Sequence, residues 1–156
     1  MRILGIDPGT GILGFGIIDI RKNKKIIVDA GTITTKANLP DAERLLTIYK
    51  DLEGIIKIHK PDMMAVEKLF FAQNVTTAMS VSQARGVVLL LARQHNMEIH
   101  EFTPLQIKQA LTGYGRATKA QMQEMVRVVL GLAQVPKPDD AADALACAIT
   151  CTMNMR

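Results

Sequence analysis

No stretch of this sequence is a continuous apolar run of the ~18 residues that a membrane span needs. Its start, Met1-Arg2-Ile3-Leu4-Gly5-Ile6-Asp7, places an aspartate where a signal peptide carries its hydrophobic centre. The expected location is therefore cytoplasmic, with no membrane partner. Cysteine is scarce: Cys147 and Cys151 are the only two. Four residues apart on an expected helix, they are poorly placed for a disulfide and lack the second pair of a zinc site. They read as small buried hydrophobes. Low-complexity segments, repeats and linkers are also missing. The 156 residues are expected to form one domain, residues 1–156, around one core.

What is present fits a folded globular chain: 48% of residues are hydrophobic. The formal charge of +4 makes nucleic acid a reasonable partner class without requiring it. Arg2–Asp7 is a short β-prone run ended by the turn signal Asp7-Pro8-Gly9. Gly11–Ile20 and Ile26–Thr34 follow as strands, with Asp29-Ala30-Gly31 as the site of a bulge. From Asp41 the period becomes helical: Leu45, Ile48, Leu52, Ile55 and Ile56 recur on one face until Pro61. Met63–Glu67 reads as a buried strand, Asn74–Gln94 as a helix and Glu98–Phe102 as a strand. After Pro104 the chain reads as helical, with breaks at Gly113–Arg116, a flexible loop, and at Gly131–Pro138. Thr118 and Gln121 form a capping box that starts one of these helices. The order β-β-β-α-β-α-β-α-α-α implies an α/β fold. Three antiparallel strands come first, parallel strands are then added by crossovers, and helices cover both faces of a mixed five-stranded sheet.

Two glycine-rich signals must be weighed. Gly9-Thr10-Gly11-Ile12-Leu13-Gly14 matches the G-x-G-x-x-G string of dinucleotide sites, but such a site needs a helix N-terminus next. The following Phe15-Gly16-Ile17-Ile18-Asp19-Ile20 does not read as a helix. The glycines are better explained by a hairpin turn, or by close passage of the backbone past a phosphate or metal. Asp-x-Gly-Thr between strands also occurs in the phosphate loop of actin-type phosphotransferases. Those proteins need two such domains, and this chain has length for one.

Four acids stand out by position. Asp7 ends the first strand, and Glu67 ends the apolar strand Met63-Met64-Ala65-Val66. If these strands are neighbours, both carboxylates emerge at one end of the sheet, where α/β sites form. Asp140 and Asp143 are i and i+3 on one helix and share a face. Each has an ordinary reading as well. Asp140 can serve the dipole at a helix start, Asp7 can belong to a turn, and Glu67 can pair with a lysine. Asp143, among alanines, is the least ordinary. Together, carboxylates that close repel one another unless a cation intervenes. Hard oxygen ligands select Mg2+, with Mn2+ as a substitute. Two such ions ~3.5–4 Å apart suit phosphodiester hydrolysis.

Leu4-Gly5-Ile6-Asp7-Pro8-Gly9-Thr10, Val66-Glu67, Ser82-Gln83-Ala84-Arg85-Gly86 and Asp140-Ala141-Ala142-Asp143-Ala144-Leu145-Ala146 occur in this order. Together they resemble the RuvC family of bacterial Holliday junction resolvases, over a span from Ile3 to Thr152. The resemblance implies a ribonuclease H-like fold and a homodimer with one site per subunit. It also implies paired nicks on opposed strands of a four-way DNA junction, leaving 5′-phosphate and 3′-hydroxyl ends. Asp7, Glu67, Asp140 and Asp143 match the family's metal-binding acids; some relatives carry histidine at the position of Asp140. Phe70 matches an aromatic that stacks on a base, with neighbouring Phe71 as the rival for that role. Lys108 and Lys119 match DNA-contacting cations, and Arg116 is expected to join them. The helix at Asn74–Gln94 is expected to face the sheet through Val81, Ala84, Val88 and Leu91 and to contribute to the dimer. Arg85 fits either the dimer or DNA. The RuvA–RuvB branch-migration complex is the implied partner. Several relatives continue into a basic tail past the position of Arg156, and any role of that tail is expected to be absent here. The competing readings are another ribonuclease H-like nuclease with a different nucleic-acid substrate, an actin-type ATP phosphotransferase, and a DNA-binding module without catalysis.

Overall fold

The computed structural model describes residues 1–68 and 75–155. Phe70 and Phe71 lie outside the described residues. The elements are β1 (Arg2–Asp7), β2 (Ile12–Arg21), β3 (Lys24–Thr34), α1 (Asp41–His59), β4 (Met63–Glu67), α2 (Val75–Gln94), β5 (Glu98–Phe102), α3 (Pro104–Thr112), α4 (Lys119–Leu130) and α5 (Asp139–Asn154). This is the order expected from the sequence.

The five strands form one sheet in the order β3-β2-β1-β4-β5. β1 to β3 are antiparallel neighbours, whereas β1–β4 and β4–β5 are parallel. The glycine string is thereby settled: β2 begins at Ile12, so Gly14 lies in a strand rather than at a helix start. Only Gly9 acts as a tight-turn residue, since a Cβ there would meet the Ile12 carbonyl oxygen at 2.1 Å. The β2–β3 register slips where Ile17 pairs with Asp29 and Ile18 with Ile27. The extra residue is therefore Val28, just before the expected bulge at Asp29–Gly31.

Strand alternation divides the core into two layers. Leu4, Ile6, Met64 and Val66 face α1 and α2, where Ile48, Leu52, Ile56, Ala84, Val88 and Leu91 are buried. Ile3 and Ala65 face the other way, onto α3, α4 and α5. Asp7 and Glu67 continue that second set, so the same alternation aims both carboxylates at the α5 side.

α5 lies unusually close to the sheet. A Cβ on Gly5 would come within 2.0 Å of the Ala144 carbonyl oxygen, and one on Gly14 within 2.0 Å of the Asp140 carbonyl oxygen. Bare glycine backbone on the strands and alanine on the helix let the two backbones approach. Cys147 and Cys151 are free and buried in this layer, and burial pushes both thiols up, Cys151 to about 11. They are packing residues, as expected.

α2 qualifies a reading made from the sequence. By length and a mean hydropathy of 1.3 over an 18-residue window, it is long and apolar enough to cross a membrane. Here its Ala84, Val88 and Leu91 lie on the sheet, and Arg85 is ion-paired to Glu101 of β5.

Candidate active site

β1 and β4 are adjacent and parallel, with Ile6 opposite Val66, so Asp7 and Glu67 stand side by side one residue further on. On the other flank, Gly14 is the cross-strand partner of Asp7. The backbone of Asp140 rests on Gly14, which sets the start of α5 beside Asp7. Asp143 follows one turn later. The four acids proposed from the sequence therefore converge at one end of the sheet.

Their electrostatics show the convergence. Burial, reinforced by the charges of Glu67, Asp143 and Asp140, pushes the Asp7 carboxyl up to about 8, with Lys119 working the other way. Burial and the charge of Asp143 raise Glu67 to about 6, opposed by Lys108 and Lys119. Asp143 is raised by burial and by Asp140 and Asp139, against a hydrogen bond from Lys119. The Lys119 Nζ lies 3.2 Å from Asp143 Oδ2 and 3.8 Å from Asp139 Oδ2. Asp139 is also held by Lys137, 3.0 Å away. It belongs to these ion pairs, and α5 has no side-chain cap at its start.

A cleft of about 300 Å³ opens at this end of the sheet. Glu67, Asp143, Lys108 and Lys119 line it, with Pro104 and Ile107. Lys108 and Lys119 are thus brought to the acids. Arg116 is exposed on the loop between α3 and α4. Arg85 is engaged with Glu101.

The four carboxylates supply hard oxygen donors of the kind that hold magnesium or manganese. Burial and neighbouring carboxylates disfavour the charged forms of Asp7 and Glu67, a penalty that a divalent cation would relieve. Among the described residues, no three His, Cys, Asp or Glu side chains are arranged to hold one ion as they stand. Of the four acids, Asp143 is ion-paired to Lys119.

Four residues that position this site escaped the sequence reading. The Thr10 hydroxyl, buried behind the Pro8–Gly11 turn, donates to the Ser80 carbonyl oxygen at 2.7 Å. It accepts from the Ser80 hydroxyl at 2.6 Å. Thr35 Oγ1 donates to the Thr10 carbonyl oxygen at 2.6 Å, and Arg44 Nε donates to Thr35 Oγ1 at 2.9 Å. Side chains from α1 and α2 thereby fix the turn that follows Asp7. Thr10 stood in the Asp7-Pro8-Gly9-Thr10 string, but its partners lie far away in sequence.

The profile of the crossover junction endodeoxyribonuclease RuvC family matches residues 3–151. The chain belongs to the RuvC family. A RuvC relative from Heliobacterium modesticaldum is 53% identical over 155 residues, covering 99% of this chain and 96% of that protein. The Thermus thermophilus RuvC structure superposes with a TM-score of 0.91 at 34% identity, covering 98% of this chain and 94% of that one. The T. thermophilus RuvC structure in complex with a Holliday junction substrate gives 0.89 at 32% identity, with the same coverage. The ribonuclease H-like α/β fold expected from the sequence is thus the fold observed, and the phosphotransferase reading falls away.

Proposed function

We propose that this RuvC family member is a structure-selective endodeoxyribonuclease. It resolves four-way DNA junctions by paired symmetric nicks, in recombination and repair. The observation that carries the reading is the convergence of Asp7, Glu67, Asp140 and Asp143 at one end of the sheet in a chain of this family. Asp7, Glu67, Asp140 and Asp143 hold the metal, Mg2+ or Mn2+, two ions per site. When bound, the ions supply Lewis acidity for in-line hydrolysis of a phosphodiester, leaving 5′-phosphate and 3′-hydroxyl ends.

The protein's own groups do the rest. Asp143, which Lys119 engages in this structure, would be one of the groups that hold the cation, and Lys119 would supply its ammonium to a DNA phosphate. Lys108, which also lines the cleft, and Arg116 add further phosphate contacts, so binding weakens with salt. Phe70 follows the catalytic strand and stacks on a base near the crossover. Asp7 is buried, and the Thr10 network holds the turn that follows it. The whole chain, residues 1–156, acts as one nuclease domain in the cytoplasm, where a RuvA–RuvB branch-migration complex can present the junction.

The working unit is a homodimer, whose two-fold symmetry matches an open junction. Support comes from α2, which leaves Val75, Met79 and Leu90 exposed. Gly86 on the same helix has open space around it. These four share the solvent face of the helix, opposite Ala84 and Leu91.

The test is incubation with a synthetic mobile four-way junction and magnesium. Symmetric paired nicks that vanish in Asp7→Asn support the reading. Equal cutting of linear duplex or RNA–DNA hybrid contradicts it.

A further inference from the structure

The connection between α3 and α4 carries a feature that the carboxylates do not use. Gly113 adopts a left-handed conformation at φ 72° and caps α3, donating its N–H to the Gln109 carbonyl oxygen. The Thr112 hydroxyl lies 2.8 Å from the Lys108 carbonyl oxygen and 3.0 Å from that of Tyr114. It also accepts from the Tyr114 N–H at 3.1 Å. Gly115 is seated on Leu105, where a Cβ would come within 2.5 Å of Leu105 Cδ1. The loop that looked flexible in the sequence is thus fixed by several independent bonds and contacts.

What this loop holds out is apolar. Tyr114 is 57% exposed, and Leu105, across Gly115 from it, is 61% exposed. A depression of about 470 Å³ beside the ring is lined by Thr112, Ala117, Ala120, Met125 and Glu124. The one acid there is engaged by Arg127, whose Nη2 lies 2.6 Å from Glu124 Oε1. Arg116 is exposed two residues beyond Tyr114 on the loop, and the two helices that the loop joins carry Lys108 and Lys119 into the neighbouring cleft of carboxylates. Apolar surface is normally withdrawn from water, and an exposed patch of it marks a contact site. An aromatic platform among cations suits a nucleotide whose base has left its stack, because the ring takes the base face while the cations take the phosphates. A rigid loop lowers the ordering cost of presenting that ring.

We propose that Tyr114 and Leu105 form a stacking site for a nucleobase unstacked at a strand crossover, beside the cleft that holds the carboxylates. This rests on the reading of the chain as a junction nuclease, and it adds a determinant of substrate choice. Linear duplex keeps its base faces covered and offers the ring nothing. A crossover exposes them.

The experiment compares the full chain with Tyr114→Ala and Tyr114→Phe. Binding to a synthetic four-way junction and to a linear duplex of the same sequence is read by fluorescence anisotropy, with calcium in place of magnesium to prevent cutting. 2-Aminopurine placed at the crossover reports stacking directly. Tyr114→Ala is expected to weaken junction binding about 10-fold, the size of one lost base–aromatic stack, and to reduce quenching of the probe. Tyr114→Phe, which keeps the ring, is expected to match the parent protein, and duplex affinity should hold for both variants. Unchanged junction affinity in Tyr114→Ala, or an equal loss on junction and duplex, overturns the stacking site while leaving the nuclease reading intact. A parent protein that does not distinguish junction from duplex overturns both.

Discussion

The two ends of the sheet handle charge in opposite ways. At the end where β1 begins, acids are matched to bases. Arg2 donates Nε and Nη2 to the two carboxylate oxygens of Asp19 at 2.7 and 3.0 Å, and Arg21 adds a third bond at 2.8 Å. The hydrogen bond from Arg2, with help from Arg21 and against burial, holds the Asp19 carboxyl down at about 2. At the end where β1 finishes, Asp7, Glu67, Asp140 and Asp143 crowd together with Lys119 as their nearest ion-pair partner, and Asp7 rises to about 8. The first arrangement ties strands together. The second stores electrostatic repulsion, which is what a site prepared for a divalent cation requires.

The largest expected effect breaks the crowded end. Asp7→Asn should lower junction cutting by about 10³-fold or more, the scale of several kcal/mol of lost metal assistance. Its circular dichroism should be unchanged. Next is Gly14→Ala, whose new methyl would meet the Asp140 backbone, because Gly14 is the seat of α5. It should destabilise the fold by about 1–3 kcal/mol and lower cutting with it, as read by urea unfolding and junction assays. At the paired end, Asp19→Ala should reduce stability by about 2 kcal/mol, the scale of charged hydrogen bonds lost. The metal-dependent cutting of the molecules that remain folded should not change.

The smallest effect is a contrast of sign with pH. Asp7 and Glu67 have folded values above their ordinary ones. Their contribution to stability is present below about pH 4 and is lost as pH rises through about 6 for Glu67 and about 8 for Asp7. Asp19 is depressed, so its contribution is present above about pH 4 and is lost as pH falls through about 2. Metal-free protein should therefore melt a few degrees lower as pH rises from about 4 to about 8, and Asp7→Asn should flatten that slope.

Much of this comparison was legible in the sequence, because it follows local periodicity. The continuous apolar run Met63–Val66 put Glu67 at the end of a buried strand, and i, i+3 spacing put Asp140 and Asp143 on one helix face. The capping box at Thr118 and Gln121 is present as expected. What could not be read depends on distant partners. Gly14 looked like part of a loop motif, but its purpose is to admit α5, more than 120 residues further along the chain. Thr10 was only one letter of a motif string, and Ser80 and Thr35, the latter held by Arg44, give it its role. Thr103 and Gln106 form a second capping box that the string Thr103-Pro104-Leu105-Gln106 already contained.

The central claim is that the crowded end is a cation site. The most direct measurement is the melting temperature of the full chain at neutral pH as magnesium or manganese is added, compared with Asp7→Asn. A ligand that binds only the folded state raises the melting temperature as its concentration rises. The expected result is a saturable rise for the parent protein that Asp7→Asn largely abolishes. A rise of equal size in both proteins, or none in the parent, would contradict the claim.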